Sequence, residues 1–440
     1  IGLQEVKVFA SFVNKQQETP IVTSTVYSNE IQQQISNKEF PEILKGSASV
    51  YATRQGGGVG DSRINLRGFG SENIGVLING IPVNGMENGA VYWSNWASLA
   101  DVTQSIQVQR GLGVSKLGIP SVGGTINIIT KTIDAEQGGS VYYGLGNDGY
   151  QKEAISLCTG LMKNGWAITF SGSHSSGDGY VNGTSFAGWS YFLNVSKRIK
   201  DNHLLSFTAF GAPQWHNMRP NYQSVEDYNN NKDGIRMNTA YGYHNGKVLA
   251  TQSGYNEYHK PQLSLNHFWT INEKSTLSTS VYASMSKGGG RSVYGAAFND
   301  RKMLQYDSYT GKPFAETALT PDGLIDYDRV MATNQEAGTS KAFFVMGTNA
   351  HNWYGLVSSY SNQLTEALKL TAGIDGRYYE GLHYQKISDL LGGTTYKENK
   401  LAYRDPETPL KVGDKVSYDN TSHILWTSAF TQLELVKPTY

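Results

Sequence analysis

Four arginines, Arg54, Arg63, Arg67 and Arg110, fall on or beside short β-prone segments in the first quarter of the chain. A guanidinium group so placed pairs bidentately with a carboxylate and can hold two surfaces together reversibly. A second set, Glu87, Asn88, Tyr92, Trp93, Asn95 and Trp96, follows the Ile81-Pro82 turn. It joins rigid aromatic area to amides that orient a ligand, a mixture suited to a small-molecule site; packing of the tryptophans against a wall is the structural alternative. Trp215, His216, Tyr241, Tyr243, His244 and His259 are further contact candidates in a long polar connection, and each singly also fits loop packing. Catalytic chemistry is not expected. There is no nucleophile elbow and no Ser/His/Asp arrangement. The run GGGVG at 56–60 lacks the Gly-Lys-Ser/Thr ending of a phosphate loop. The histidines lack metal-site spacing, so neither a metal nor a cofactor is expected.

Composition narrows the class. The chain has 440 residues, enough for two or three domains, and only 17% of them are charged. Gly (49) and Tyr (28) are abundant, and the formal net charge is zero, so no basic field draws in nucleic acid. No run reaches the roughly 18 apolar residues of a transmembrane helix, a test that β-barrel strands escape because each carries a weak signal. The lone cysteine, Cys158, rules out an internal disulfide.

Three regions separate along the chain. Residues 1–20 form an extended arm. Residues 21–134 form a compact α+β domain, with strands expected at 21–26, 49–53, 63–67, 74–78, 106–110 and 125–130. A helix is expected from Ser28, with Ser28 or Asn29 as N-cap, and a second over 39–45. From residue 135 onward the apolar pattern has period two. Trp166, Ile168 and Phe170 alternate with Ala167, Thr169 and Ser171; Leu368, Leu370, Ala372 and Ile374 alternate with Lys369, Thr371, Gly373 and Asp375. The same alternation places Asp375 and Arg377 on the polar face, where they are candidates to lock against the four arginines or simply to hydrate a wet lumen.

The connections between these strands are short and long in turn: short at 162–165, 199–202, 271–274 and 362–367, long at 175–188, 211–258, 286–350 and 381–422. Short turns at one end and long loops at the other characterise outer-membrane barrels. A globular domain in front of such strands points to a gated outer-membrane pore. About ten strands are expected here. With strands about 4.8 Å apart and tilted about 40°, ten would close at a radius of about 10 Å. A domain of some 115 residues has an outer radius of about 17 Å, whereas about 22 strands give about 22 Å. The fold class expected is therefore an α+β plug inside an antiparallel transmembrane β-barrel, of which this chain holds about 10 of about 22 strands.

The segments LRGFG (66–70), VLINGIPVNG (76–85), IQVQRG (106–111) and GGTINIITK (123–131) resemble, in order, the plug motifs of the TonB-dependent outer-membrane receptors, and NGMENGAVYWSNWASL is similar to plugs of Bacteroidota-type members. The resemblance implies proton-gradient-driven import of a scarce bulky solute, an iron–siderophore first, otherwise a glycan, peptide or cobalamin. It implies TonB with its inner-membrane motor, outer-membrane lipid and the solute as partners, and a surface lipoprotein as a further one. It also makes Leu3, Gln4, Glu5, Val6, Lys7, Val8, Phe9, Ala10 and Ser11 a candidate TonB box, with Val8-Phe9-Ala10 where the family has Val-Thr-Ala. An extended arm can add to a partner's sheet edge through main-chain hydrogen bonds, largely independent of sequence. Two other readings remain open: a barrel platform for a surface lipoprotein or secretion assembly, and a soluble all-β carbohydrate-active enzyme with paired carboxylates.

Overall fold

A computed structural model describes residues 23–35, 38–54, 62–96, 99–111, 121–219, 223–238, 240, 242–249, 254–295, 320 and 324–435. The candidate arm residues Leu3 to Ser11, the glycine run at 56–60 and Tyr241 lie outside them.

The leading domain begins with β1 (Thr23–Tyr27), α1 (Ser28–Ile35), a 3-10 helix (Phe40–Gly46), β2 (Val50–Arg54) and β3 (Ser62–Leu66). It continues with β4 (Ile74–Ile78), β5 (Ile81–Pro82), β6 (Thr103–Arg110) and β7 (Gly124–Thr130), with 3-10 turns at Trp93–Trp96 and Leu99–Val102. One sheet has the order β1-β6-β7-β4-β5, antiparallel except between β7 and β4, and β2 pairs with β3 apart from it. The expected second helix is a tighter 3-10 segment. Pro41 stands in its first turn, Glu39 and Glu42 cap it reciprocally, and the chain leaves it after one short run. Asn84 stitches the β4–β5 turn: its Oδ1 accepts from Val76 N at 2.8 Å, and its Nδ2 donates to Ile74 O at 2.9 Å and Gly89 O at 2.8 Å. The core comprises Ile31, Ile43, Leu44, Ile64, Leu66, Ile74, Val76, Ile106, Val108, Ile126 and Ile128, all essentially sealed from solvent.

The remaining strands form one large antiparallel sheet: β8 (Gly138–Leu145), β9 (Gln151–Cys158), β10 (Trp166–Gly177), β11 (Phe186–Ile199), β12 (His203–Gly211) and β13 (Gln214–Asn217). A small hairpin of β14 (Gly242–His244) and β15 (Lys247–Val248) stands apart, and the sheet resumes with β16 (Tyr255–His259), β17 (Gln262–Asn272) and β18 (Ser275–Gly295). After β19 (Ile325–Asp326) come β20 (Ala342–Gln363), β21 (Leu368–Asp389) and β22 (Lys415–Leu435). The sheet has 12 segments but ten wall strands. β12 and β13 are one strand interrupted at Pro213, and β16 and β17 one interrupted at Pro261, because proline cannot donate to the ladder. Among the described residues β8 and β22 are the two edges and do not pair with each other, so the wall is an open part of a cylinder.

Alternation assigns the two faces. On β10, Trp166, Ile168 and Phe170 are 40%, 37% and 44% exposed, whereas Ala167, Thr169 and Ser171 are buried toward the leading domain. Trp189, Phe207, Leu265, Val281, Tyr354, Ile374 and Leu425 continue the exposed apolar face around the wall. Ten residues separate Trp269 from His259 along β17 and β16. At about 3.3 Å each and a tilt of about 40°, they stand about 26 Å apart in height, close to the roughly 25 Å apolar band of an outer-membrane barrel. Trp269 stacks on His203, and His259 bonds Tyr191 at 3.0 Å, so both borders carry amphipathic rings.

Strands β18, β20, β21 and β22 rise far above that band. Their upper outer face is covered by α3 (Tyr327–Ala337), where Tyr327 and Val330 pack on Val293, Phe344 and Leu391. The loop between β21 and β22 lies on the opposite face, where Leu390 and Leu410 pack on Phe343 and Val345. Asn334 of α3 joins these parts: its Nδ2 donates to Ala342 O and Leu391 O, both at 2.8 Å, and its Oδ1 accepts from Lys341 N at 2.9 Å.

Candidate functional site: the plug–wall interface

The leading domain sits against the polar, concave face of the wall. Phe192 of β11 and Phe210 of β12 enter its core, and Trp96 meets Phe210 with ring centroids 5.7 Å apart. Farther round, Ile81 and Met86 pack on Tyr282, Trp353 and Tyr379 of three successive wall strands.

Three polar contacts cross this interface. Asp101 Oδ1 lies 2.8 Å from Lys152 Nζ of β9, the two side chains 17% and 7% exposed. Lys260, beside Pro261, holds its ammonium 5.4 Å from the Trp96 ring and 5.6 Å from the Trp353 ring, one indole from each side of the interface. Glu87, at the tip of the loop after β5, is the most connected. Its carboxylate accepts from His383 Nε2 at 2.8 Å, from Tyr379 Oη at 3.2 Å and from Ser422 Oγ. Partial burial pushes Glu87 upward, but the Ser422 and His383 bonds outweigh it and hold the carboxyl below the ordinary glutamate range.

The polarity is opposite to the one expected from the sequence, for the wall supplies the cations and the domain supplies the acids and the indole. The four arginines are used otherwise. Arg54 pairs with Glu42 inside the domain at 2.6 Å, and Arg110 donates to Ser24 Oγ at 2.8 Å. Arg63 is exposed, and Arg67 is exposed at a left-handed φ of 54° beside Gly111. Asp375 and Arg377 pair with each other along β21, Nε to Oδ1 at 3.0 Å, which neutralises both within the wall; Arg377 still reaches Met86 Sδ at 3.9 Å.

The contact candidates divide in the same way. Glu87, Asn88 and Tyr92 stand at the apex. Asn88 donates to Tyr92 Oη at 3.1 Å, and Tyr92 is 50% exposed. Trp93, Asn95 and Trp96 are buried, with Trp93 stacked on Phe40 at 5.4 Å, so they pack rather than contact the lumen. Trp215 is turned outward beside Tyr255, because β13 continues the alternation of β12 above Pro213. His216 is inward and buried, bonded to Gln214 Oε1 at 2.7 Å. Tyr243 belongs to the β14–β15 hairpin, whose His244 meets Asp328 of α3 at 2.6 Å. Asp101, Lys152, Lys260, His383 and Ser422 were not singled out from the sequence. The one signal available was the inward parity of Lys152 on a strand that otherwise turns small residues to the lumen.

Residues 15–125 match the TonB-dependent Receptor Plug Domain family. The chain belongs to the TonB-dependent receptors. A vitamin B12 transporter of Vibrio vulnificus is 24% identical over 211 residues, which are 46% of this chain and 34% of that protein. A probable TonB-dependent siderophore receptor of Acinetobacter baumannii is 33% identical over 112 residues, 23% of this chain and 15% of the other. An unliganded ferric citrate transporter superposes with a TM-score of 0.60 at 14% identity, covering 95% of this chain and 55% of that one. A Pseudomonas aeruginosa receptor solved with a ferric pyoverdine gives 0.62 at 11% identity, covering 94% and 49%. The chain therefore spans about half the length of these solved receptors, in keeping with an incomplete wall. In this receptor the leading domain is the plug, and the wall is part of an outer-membrane β-barrel. Its relatives are transporters and receptors rather than enzymes.

Proposed function

We propose that this receptor imports a scarce, bulky solute across the outer membrane, with the plug as gate and energised TonB as the source of work. The observation that carries the reading is the seating of a folded plug on the polar face of a wall whose other face is apolar over the height of a bilayer. Solute meets the extracellular loops and the apex residues Asn88 and Tyr92. Occupancy alters the apex, and the arm bearing Leu3 to Ser11 is offered to TonB, which adds it as a strand and pulls. The plug yields locally, since its hold on the wall is a few discrete polar contacts rather than one continuous apolar seam. An iron–siderophore is the first solute class, supported by the printed functions of several relatives, and cobalamin the next, supported by the vitamin B12 transporters. Deleting residues 3–11 tests the scheme: solute binding persists and uptake stops. Uptake that survives the deletion disproves the arm's role.

A second role is favoured by one feature. The extracellular segments around α3 have their own apolar clusters and form a rigid platform above the membrane, which suits a surface lipoprotein partner. Mild detergent extraction of the full receptor tests it, because a stoichiometric partner copurifies only if the platform is occupied.

A further inference from the structure

We propose that Glu87 and His383 form a proton-operated latch, which fastens the plug apex to the barrel wall while the imidazole carries both its protons and releases it when one leaves. The inference concerns regulation and does not depend on which solute is carried.

The geometry fixes the charge state. His383 Nε2 lies 2.9 and 2.8 Å from the two Glu87 oxygens. On the other side of the ring, Nδ1 lies 2.7 Å from Asn349 Oδ1. The Asn349 amide is itself oriented, because its Nδ2 donates to Tyr258 Oη at 3.0 Å and so turns its oxygen to the ring. Both ring nitrogens therefore face acceptors, and a histidine satisfies two acceptors only as imidazolium. His383 stands 15 residues above Leu368, about 38 Å up a strand tilted about 40°, beyond the apolar band. The His383 and Glu87 side chains are 28% and 29% exposed, so protons exchange with water directly.

The surrounding groups define the window. Tyr379 faces the pair from the same strand, Ser422 from β22 and Tyr258 from β16; His351 of β20 and Lys260 are the bases nearby. As pH rises, His383 gives a proton to water, one nitrogen meets an acceptor without a hydrogen, and the ion pair is lost. Histidine is the side chain that changes charge between about pH 5 and 8. As pH falls, Glu87 keeps its charge into the acid range, because its folded value is held low. Its contribution is complete above the unfolded value and disappears only as pH falls through the depressed one. The latch is thus closed in mildly acidic medium and open in alkaline medium.

Hydrogen exchange of the full receptor in detergent, read on peptides covering 81–96 and corrected for intrinsic rates, tests this at about pH 6 and about pH 8.5, on either side of the histidine range. Wild type loses about tenfold protection at the higher pH, the scale of one charge-assisted hydrogen bond. His383→Gln keeps a donor for Glu87 without titrating, so apex protection becomes equal at both values. Asn349→Asp places a carboxylate at Nδ1, holds the second proton and moves release to higher pH. Peptides from β10 and β11 report that each variant is folded. Equal apex protection in wild type at the two values, or a tenfold loss that persists in His383→Gln, overturns the proposal.

Discussion

Asp101 of the plug and Lys152 of the wall meet at 2.8 Å with both side chains largely closed to water, and this is a buried ion pair joining the receptor's moving part to its stationary one. Removing one member leaves the other charge desolvated and alone, at a cost of about 3–5 kcal/mol, while replacing both with apolar groups of similar size costs far less. Lys152→Met should therefore loosen the plug more than the Asp101→Leu/Lys152→Met double variant does. Thermal unfolding followed by plug-specific proteolysis ranks them, and a double variant weaker than either single one refutes the pairing.

Glu42 anchors the plug's own start. Burial pushes its carboxyl up, but bonds from Lys45, Arg54 and the Glu39 N–H outweigh this and hold it below the ordinary range. A depressed acid contributes stability that is complete above its unfolded value, about 4.3, and is lost as pH falls through the folded value. Wild type should lose plug stability between about pH 4.5 and pH 3 more steeply than Glu42→Gln, which starts lower and is flatter there. Urea midpoints across that range measure the difference, and parallel curves would remove Glu42 from the account.

How much of this was legible beforehand follows from the range of each signal. Local signals carried far. The period-two pattern put Trp166, Ile168 and Phe170 outside and Thr169 and Ser171 inside, where they are. The expected plug strands fall within a few residues of those observed, because β-branched runs bounded by glycine are local events. Docking signals were not legible. Asp101 and Lys152 meet only once the plug is seated, and neither neighbourhood differs in sequence from an ordinary solvated one. The arginines were expected to lock the wall because guanidinium groups need acceptors, but Glu42 and Ser24 inside the plug met that need for Arg54 and Arg110. Trp215 was assigned to a loop since Pro213 looked like a strand end; the strand resumes beyond it, and parity turns the ring outward.

Gly124 is a packing test of the plug sheet. It opens β7 at a φ of 141°, and a Cβ there would collide with Gln109 O of β6 and with the Leu66 side chain. Gly124→Ala adds that clash to an unfavourable backbone angle, and about 1–3 kcal/mol should be lost. The readout is faster exchange of β6 and β7 amides, with wall amides unchanged; equal exchange would mean that the backbone accommodates the methyl group.

The extracellular platform rests on one amide. Asn334 bridges α3 to Ala342 and Leu391, and its oxygen serves Lys341 N, so its removal strands several buried backbone groups at once. Each unmet group costs about 1–3 kcal/mol. Asn334→Ala should therefore detach α3 from β20 and the start of the β21–β22 loop, while the strands within the membrane band stay intact. Limited proteolysis on whole cells distinguishes the cases: cleavage confined to 324–341 and 390–414 fits a local bridge, and protection equal to wild type shows that Tyr327 and Val330 hold the helix without it. Asn334→Asp keeps the acceptor and loses the donors to Ala342 O and Leu391 O, so its cleavage rate should fall between wild type and alanine.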